Sequence, residues 1–251
     1  MNEWLILLIP IAFFCEFIDS TLGMGYGTSL TPLLMLMGFD PLQVVPAVLL
    51  SEFVTGILGA SFHHSVHNVH LHPRSQDGRV AMVLAVFSVV GTIAAVALAV
   101  KLPPHVLKTV IGIIVASMGV VILFTLNRKP RFTWRKIIGL GAVASFNKGL
   151  SGGGYGPMVM GGQMLSGVGV KNAVGITSLA EGITCLAGVI TYFALKRQVD
   201  WALAPWLMAG AVLSVPVAAH TLKRIPERAA KVTVAIIVLA LGGLTLAKTL
   251  L

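Results

Sequence analysis

Charge is scarce in this chain: only 11% of its 251 residues are Asp, Glu, Lys or Arg, against roughly a quarter in soluble domains. That dilution excludes an ordinary soluble globular surface. Cysteine is limited to Cys15 and Cys185, far apart and both inside apolar stretches, so a disulfide framework or a zinc site has no support. Both are read as reduced packing residues. No Walker-type Gly-x-x-x-x-Gly-Lys-Ser/Thr occurs, and neither glycine-tyrosine run of the chain follows a strand in a soluble context, which removes ATP hydrolysis within the chain. A nucleophile, a base and an orienting group at recognisable spacing are also lacking, so the expectation is a protein that is not an enzyme and needs no cofactor. The start, Met1-Asn2-Glu3-Trp4, has no basic n-region, and Ala12-Phe13-Phe14-Cys15 lacks the small residues of a processing site. The first apolar segment is expected to remain in the mature protein.

What the chain has in abundance is hydrophobicity, 56% of residues with a mean hydropathy of +0.91. This composition reads as a polytopic membrane protein. Its net charge of +9 does not point to nucleic acid, because the basic residues fall mostly in short gaps between apolar stretches rather than along one face. The positive-inside rule accounts for them better.

Apolar segments run over 4–22, 28–38, 41–63, 79–100, 104–126, 137–150, 155–167, 170–195, 201–222 and 227–249. Six are expected to cross a hydrocarbon core of about 30 Å, which takes roughly 20 helical residues. Segments 28–38, 137–150 and 155–167 are too short, and suit half-helices that meet at loops within the membrane. The chain divides into a first transmembrane repeat, 1–126, a basic linker, 127–136, and a second repeat, 137–251.

The division rests on an internal repeat, sought before any fold assignment. Displacing the chain by 129 residues aligns 17–59 with 146–188 without a gap and gives 13 identities in 43 positions. They include Phe17/Phe146, Gly23/Gly152, Gly25/Gly154, Tyr26/Tyr155, Gly27/Gly156, Glu52/Glu181 and Thr55/Thr184. Shared hydrophobicity alone does not produce matched tyrosines and buried glutamates. With the linker in the cytoplasm, an inverted arrangement puts 11 basic residues inside and five outside, a parallel one 10 and six, which favours inversion by a single residue. The fold expected is therefore all-α, two inverted repeats of about five helical segments each, with helices broken at paired glycine-rich loops. On this count both chain termini lie outside.

The loops carry the chemistry. Glycine runs cannot stay helical, and unwound backbone inside a membrane is tolerated only where protein buries it or a watery cavity faces it. Helix starts are expected from Thr28 and from Pro157 onward. A helix N-terminus carries unpaired N–H groups and about half a positive charge, so it favours an anion. Two such ends converging near the midplane would hold an oxyanion between Gly23, Gly25, Tyr26, Gly27, Thr28 and Ser29 on one side and Asn147, Lys148, Ser151, Gly152, Gly153, Gly154, Tyr155 and Gly156 on the other. The alternative is that the glycines only let helices pack closely.

Lys148 lies in a short apolar element, where a charge costs at least a few kcal/mol. Its repeat counterpart is Asp19, so it either attracts the anion or pairs with Asp19 and ties the loops together. Glu52 and Glu181 lie about 11 residues into matching long segments, roughly 16 Å deep. Ionised carboxylates there would repel an anion, and a proton carried on one or both resolves the conflict; the alternative is a glutamate that caps a broken helix. His63, His67 and His70 would share a helix face if that helix continued far enough, a spacing that can bind metal. A polar interfacial end is preferred, with no metal expected.

These residues resemble a known family. Phe17-Ile18-Asp19-Ser20 with the glycine run and Pro32, and Gly149-Leu150-Ser151-Gly152-Gly153-Gly154-Tyr155-Gly156-Pro157 followed by Ala173-Val174-Gly175-Ile176-Thr177-Ser178, look like the two signatures of the TauE/SafE sulfite exporter (TSUP) family. The resemblance covers nearly the whole chain through its duplicated layout. It departs at Met24, where a third consecutive glycine is common, and at the Tyr26/Tyr155 pair. The resemblance implies an integral carrier of sulfite, organosulfonates such as sulfoacetate, or related sulfur oxyanions, usually outward. The protein expected is a secondary transporter of a small sulfur-containing oxyanion, with proton coupling through the buried glutamates as one reading, multi-pass in a bacterial-type inner membrane, monomeric or homodimeric. Two alternatives stand beside it: import of thiosulfate or another sulfur anion, with Cys15 or Cys185 taking part, and a membrane metal-binding or redox subunit using the histidines.

Overall fold

The computed structural model describes residues 3–125, 134–166, 168–195, 197–222 and 227–250. Of the basic residues used to orient the chain, Arg128, Lys129, Arg131, Lys196, Lys223 and Arg224 lie outside the described residues. Among the described residues a short 3-10 helix, Glu3–Leu7, leads into ten α-helices: α1 Leu8–Leu22, α2 Tyr26–Leu36, α3 Pro41–Ser65, α4 Gln76–Ala99, α5 Pro104–Thr125, α6 Trp134–Ser151, α7 Tyr155–Leu165, α8 Val170–Ala194, α9 Ala204–Thr221 and α10 Glu227–Leu250. Among the described residues there is no strand. Helices are the natural outcome for so apolar a chain, because a helix satisfies its backbone hydrogen bonds without water.

Among the described residues seven helical segments, rather than the six expected, are long and apolar enough to cross a bilayer. The two shortest, Leu5–Leu22 and Ala204–Thr221, have 18 residues each, just under the 20-residue rule of thumb. Helices α2 and α7, at 11 residues each, span only about 16 Å. They are the half-helices that the glycine runs predict. Large apolar side chains stand on the outer surface, Val90 at 71% and Phe124 at 68% exposed, as suits lipid rather than water.

The packing repeats with the halves. α1 lies against α9 as α6 lies against α4; α3 lies against α9 as α8 lies against α4; α3 pairs with its own counterpart α8, and α5 with α10. Both self-paired sets run antiparallel. Leu49 meets Gly188, Gly56 meets Gly182 and Gly59 meets Ser178, so the α8 number falls as the α3 number rises. The α3/α8 crossing is close because it is built on glycine: a methyl group on Gly56 would stand 2.7 Å from the Gly182 Cα. In α5 and α10, Gly112 meets Leu246 and Gly119 meets Leu239.

Candidate functional site

The two glycine runs break the chain in the same way. Gly23 and Gly152 both take the left-handed conformation, each with φ +68°, and their N–H groups close the ends of α1 and α6 by donating to the carbonyls of Asp19 at 2.6 Å and Lys148 at 2.8 Å. A second positive-φ glycine, Gly25 or Gly154, then turns the chain into the next helix. The helices begin at Tyr26 and Tyr155, two residues before the expected Thr28 and Pro157. The tyrosines can start them because each ring is buried and anchored on a flanking helix. Tyr26 Oη bonds Ser51 Oγ at 2.8 Å, and Tyr155 Oη bonds Ser88 Oγ at 3.1 Å. These hydroxyls are thereby turned to α3 and α4 instead of standing ready for an anion.

The loops meet backbone to backbone. A Cβ on Gly27 would overlap the Gly152 carbonyl oxygen, and one on Gly153 would lie 2.7 Å from the Gly27 carbonyl carbon. The Gly154 N–H donates to Thr28 Oγ1 at 3.4 Å, and the Gly153 N–H to Ser151 Oγ at 3.1 Å. Contact between loops, expected from the sequence, is therefore present, and it is made by backbone at Gly27, Gly152 and Gly153. Asn147 Nδ2 reaches Met158 Sδ at 3.2 Å, and Ser29 sits in the first turns of α2 with its N–H bonded to the Gly25 carbonyl at 2.9 Å.

Lys148, 1% exposed, is paired, but not with Asp19. Its Nζ contacts Glu52 Oε2 and lies 2.6 Å from Glu181 Oε1. Asp19 instead turns back to the loop that follows it, where its Oδ1 accepts the Tyr26 N–H at 3.1 Å. Glu52 joins it there by accepting the Gly27 N–H at 3.1 Å on Oε1. The N-terminus of α2 is thus capped by two carboxylates, which satisfies orphan donors and complements the helix dipole. The second loop cannot copy this cap, because Lys148 stands in the place of Asp19 and offers only donors. Among the described residues no carboxylate accepts from Tyr155 N–H or Gly156 N–H. The duplicated backbone therefore carries opposite charge at one matched position, Asp19 and Lys148.

Sequence reasoning missed Glu16 and Thr31. Glu16 falls one residue before the aligned repeat, and its counterpart is Ser145; an acid within an apolar span was nonetheless a signal. It accepts from Ser20 Oγ at 2.6 Å and Thr55 Oγ1 at 3.2 Å, and with Asp19, Glu52, Thr55 and Glu181 it lines a small cavity of about 10 Å³, at most the room of one water. Thr31 Oγ1 is buried without a hydrogen-bond partner among the described residues and points at Gly152, 2.9 Å from where a Cβ there would lie. Cys15 and Cys185 are both free, and Cys185 Sγ lies 3.8 Å from Glu52 Oε2.

The histidines do not converge. α3 ends at Ser65, so His67 and His70 leave the helical face of His63, and among the described residues no group of three His, Cys, Asp or Glu is placed to hold a metal. His63 is used structurally: its Nε2 bonds the Ser20 carbonyl at 2.9 Å, and its Nδ1 bonds Asn68 Nδ2 at 3.0 Å.

Broken helices meeting inside a duplicated membrane bundle are found in carriers, and comparison with known proteins agrees. The sequence matches the family described as Sulfite exporter TauE/SafE over residues 8–245. The chain belongs to the TauE/SafE sulfite exporter family. It is similar to the probable membrane transporter protein YtnM of Bacillus subtilis (strain 168), 28% identical over 233 residues that cover 88% of this chain and 75% of that protein. No solved structure matches it. As a TauE/SafE protein it is a multi-pass membrane transporter working in a lipid bilayer.

Proposed function

We propose that this transporter is a secondary carrier exporting sulfite or an organosulfonate such as sulfoacetate from the cytoplasm across a bacterial-type inner membrane, by alternating access of two inverted repeats. It acts as a carrier, not an enzyme. The family supplies the sulfur chemistry. The antiparallel packing of equivalent helices α3/α8 and α5/α10 supports inversion, since repeats related by an axis along the membrane normal would keep equivalent helices parallel.

The observation that carries the reading is the charge asymmetry of the matched loops. At α2 the helix N-terminus is already occupied by the carboxylates of Asp19 and Glu52. At α7 no carboxylate among the described residues accepts from the corresponding donors, and Lys148 holds on α6 the place that Asp19 holds on α1. An oxyanion accepts from Tyr155 and Gly156 N–H at the α7 end, with Thr31 Oγ1 and Lys148 as further donors, once the interlocked loops separate. Lys148 then exchanges a glutamate for the substrate. Four carboxyl groups, on Glu16, Asp19, Glu52 and Glu181, face one ammonium around this site, and a proton moving onto Glu52 or Glu181 as Lys148 lets go keeps the buried charge balanced. That exchange couples anion to proton. The termini lie outside, and the chain works as a monomer or homodimer.

The test is a binding and thermal-shift series on purified protein with sulfite, sulfoacetate, taurine, thiosulfate, sulfate and a neutral analogue. Sulfite or sulfoacetate is expected to stabilise the fold over the neutral control; equal melting in all six removes the anion site. A second reading, thiosulfate import with a cysteine taking part, is favoured by Cys185 lying beside the Glu52–Lys148 pair. Thiosulfate uptake into proteoliposomes that is abolished in Cys185→Ser would select it.

A further inference from the structure

A second cationic site lies away from the glycine loops, where the C-terminal ends of α2 and α10 meet the N-terminal end of α5. It is a cavity of about 570 Å³ whose polar lining includes His105, Lys108 and Lys248, with Met35 and Leu36 on its apolar side. Among the described residues no acidic one lines it. Lys248 Nζ donates to the Leu36 carbonyl at 2.9 Å, which satisfies an end group of α2 and fixes the ammonium at the cavity wall. Lys108 is half-buried. Among the described residues both salt bridges belong to Lys148, and none joins Lys108 or Lys248 to a carboxylate. Pro104 at the start of α5 adds the positive end of a 22-residue helix. Two ammonium groups, an imidazole and a helix N-terminus therefore face one cavity.

The place is as informative as the charge. Six residues along α5 from Lys108, about 9 Å, Ile114 lies 3.4 Å from where a Cβ on Gly154 would stand. Helix α2 likewise runs from the first glycine loop at Tyr26 to the cavity wall at Leu36. We propose that this cavity is an accessory oxyanion site at one membrane face, recognising a singly or doubly charged oxyanion through Lys108 and Lys248. The oxyanion is either free sulfur oxyanion passing to or from the loops or the phosphate of an anionic lipid headgroup, whose acyl chain Met35 and Leu36 would accept. The site stands on its own charge and geometry, independently of what the glycine loops bind.

The experiment compares wild type, K108Q/K248Q and K101Q, the last removing an exposed lysine that does not line the cavity. Delipidated protein is titrated with radiolabelled sulfite, and separately its retention of phosphatidylglycerol over phosphatidylcholine is measured by native mass spectrometry. K108Q/K248Q is expected to weaken one of the two ligands about tenfold, the order for losing two partly solvated charge-assisted contacts, while K101Q matches wild type. Loss of a second sulfite equivalent assigns free anion; loss of phosphatidylglycerol preference assigns the lipid. Because K248Q also removes the Leu36 contact, K108Q alone must show the same direction, and K108R/K248R must restore it. If sulfite stoichiometry and lipid preference are both unchanged in K108Q/K248Q, the inference is wrong. A single retained sulfite equivalent in that variant would still leave the glycine-loop reading standing.

Discussion

Replacing Gly27 with alanine isolates the contact between the two loops. Gly27 is a residue of α2 and does not have a positive φ, so the substitution brings no backbone strain. In an otherwise neutral helical setting it would gain up to about 1 kcal/mol from propensity. The added methyl, however, falls onto the Gly152 carbonyl oxygen, with the Gly152 carbonyl carbon at 2.7 Å and the Gly153 Cα at 3.1 Å. Ordinary contact needs about 3.5 Å or more, so the loops must part by well over an ångström. Overpacking of this kind costs about 1–3 kcal/mol, and here the neighbour is backbone, which cannot swing aside as a side chain does. Gly139→Ala in α6 is the control, since nothing lies within 4 Å of its added Cβ. Thermal unfolding in detergent and sulfite flux in proteoliposomes are the readouts: G139A is expected to match or exceed wild type in stability, and G27A to melt lower and transport more slowly. A G27A protein as stable and active as G139A would refute the interlocked loops.

Three further outcomes follow from the site. Lys148→Met leaves Glu52 and Glu181 buried without their cation, a loss of about 3–5 kcal/mol; a double-mutant cycle with E181Q should give a coupling above 1 kcal/mol, and additive effects would deny the ion pair. Glu52→Gln and Glu181→Gln should each flatten the dependence of flux on an imposed pH gradient, whereas unchanged dependence in both variants excludes coupling through them. Tyr26→Phe and Tyr155→Phe should each cost about 1 kcal/mol in a melt by losing the bonds to Ser51 and Ser88, with substrate KM unmoved; a raised KM would return the hydroxyls to the anion.

The repeat and the half-helices were legible because they depend on local rules. Glycines at 23, 25, 152 and 154 end and restart helices wherever they occur, and a 129-residue echo survives in side chains whose roles are shared. Glu16 and Thr31 escaped notice because their partners come from elsewhere: Glu16 meets Thr55 across 39 positions, and Thr31 faces Gly152. The histidine spacing gives no shared helix face for a local reason, since α3 stops at Ser65 and His67 takes a φ of +59°.

By itself the sequence determined an all-helical membrane chain, its duplication, its broken helices and the presence of one buried lysine and two matched glutamates. Composition and period are enough for those, because a bilayer permits few backbone solutions. Only the tertiary structure decided who neutralises whom. Lys148 and Asp19 are counterparts in the repeat, yet Lys148 pairs with Glu52 and Glu181 while Asp19 caps α2. Pairing of buried charge is set by distances among α1, α3, α6 and α8, and a repeat alignment carries residue identity without those distances.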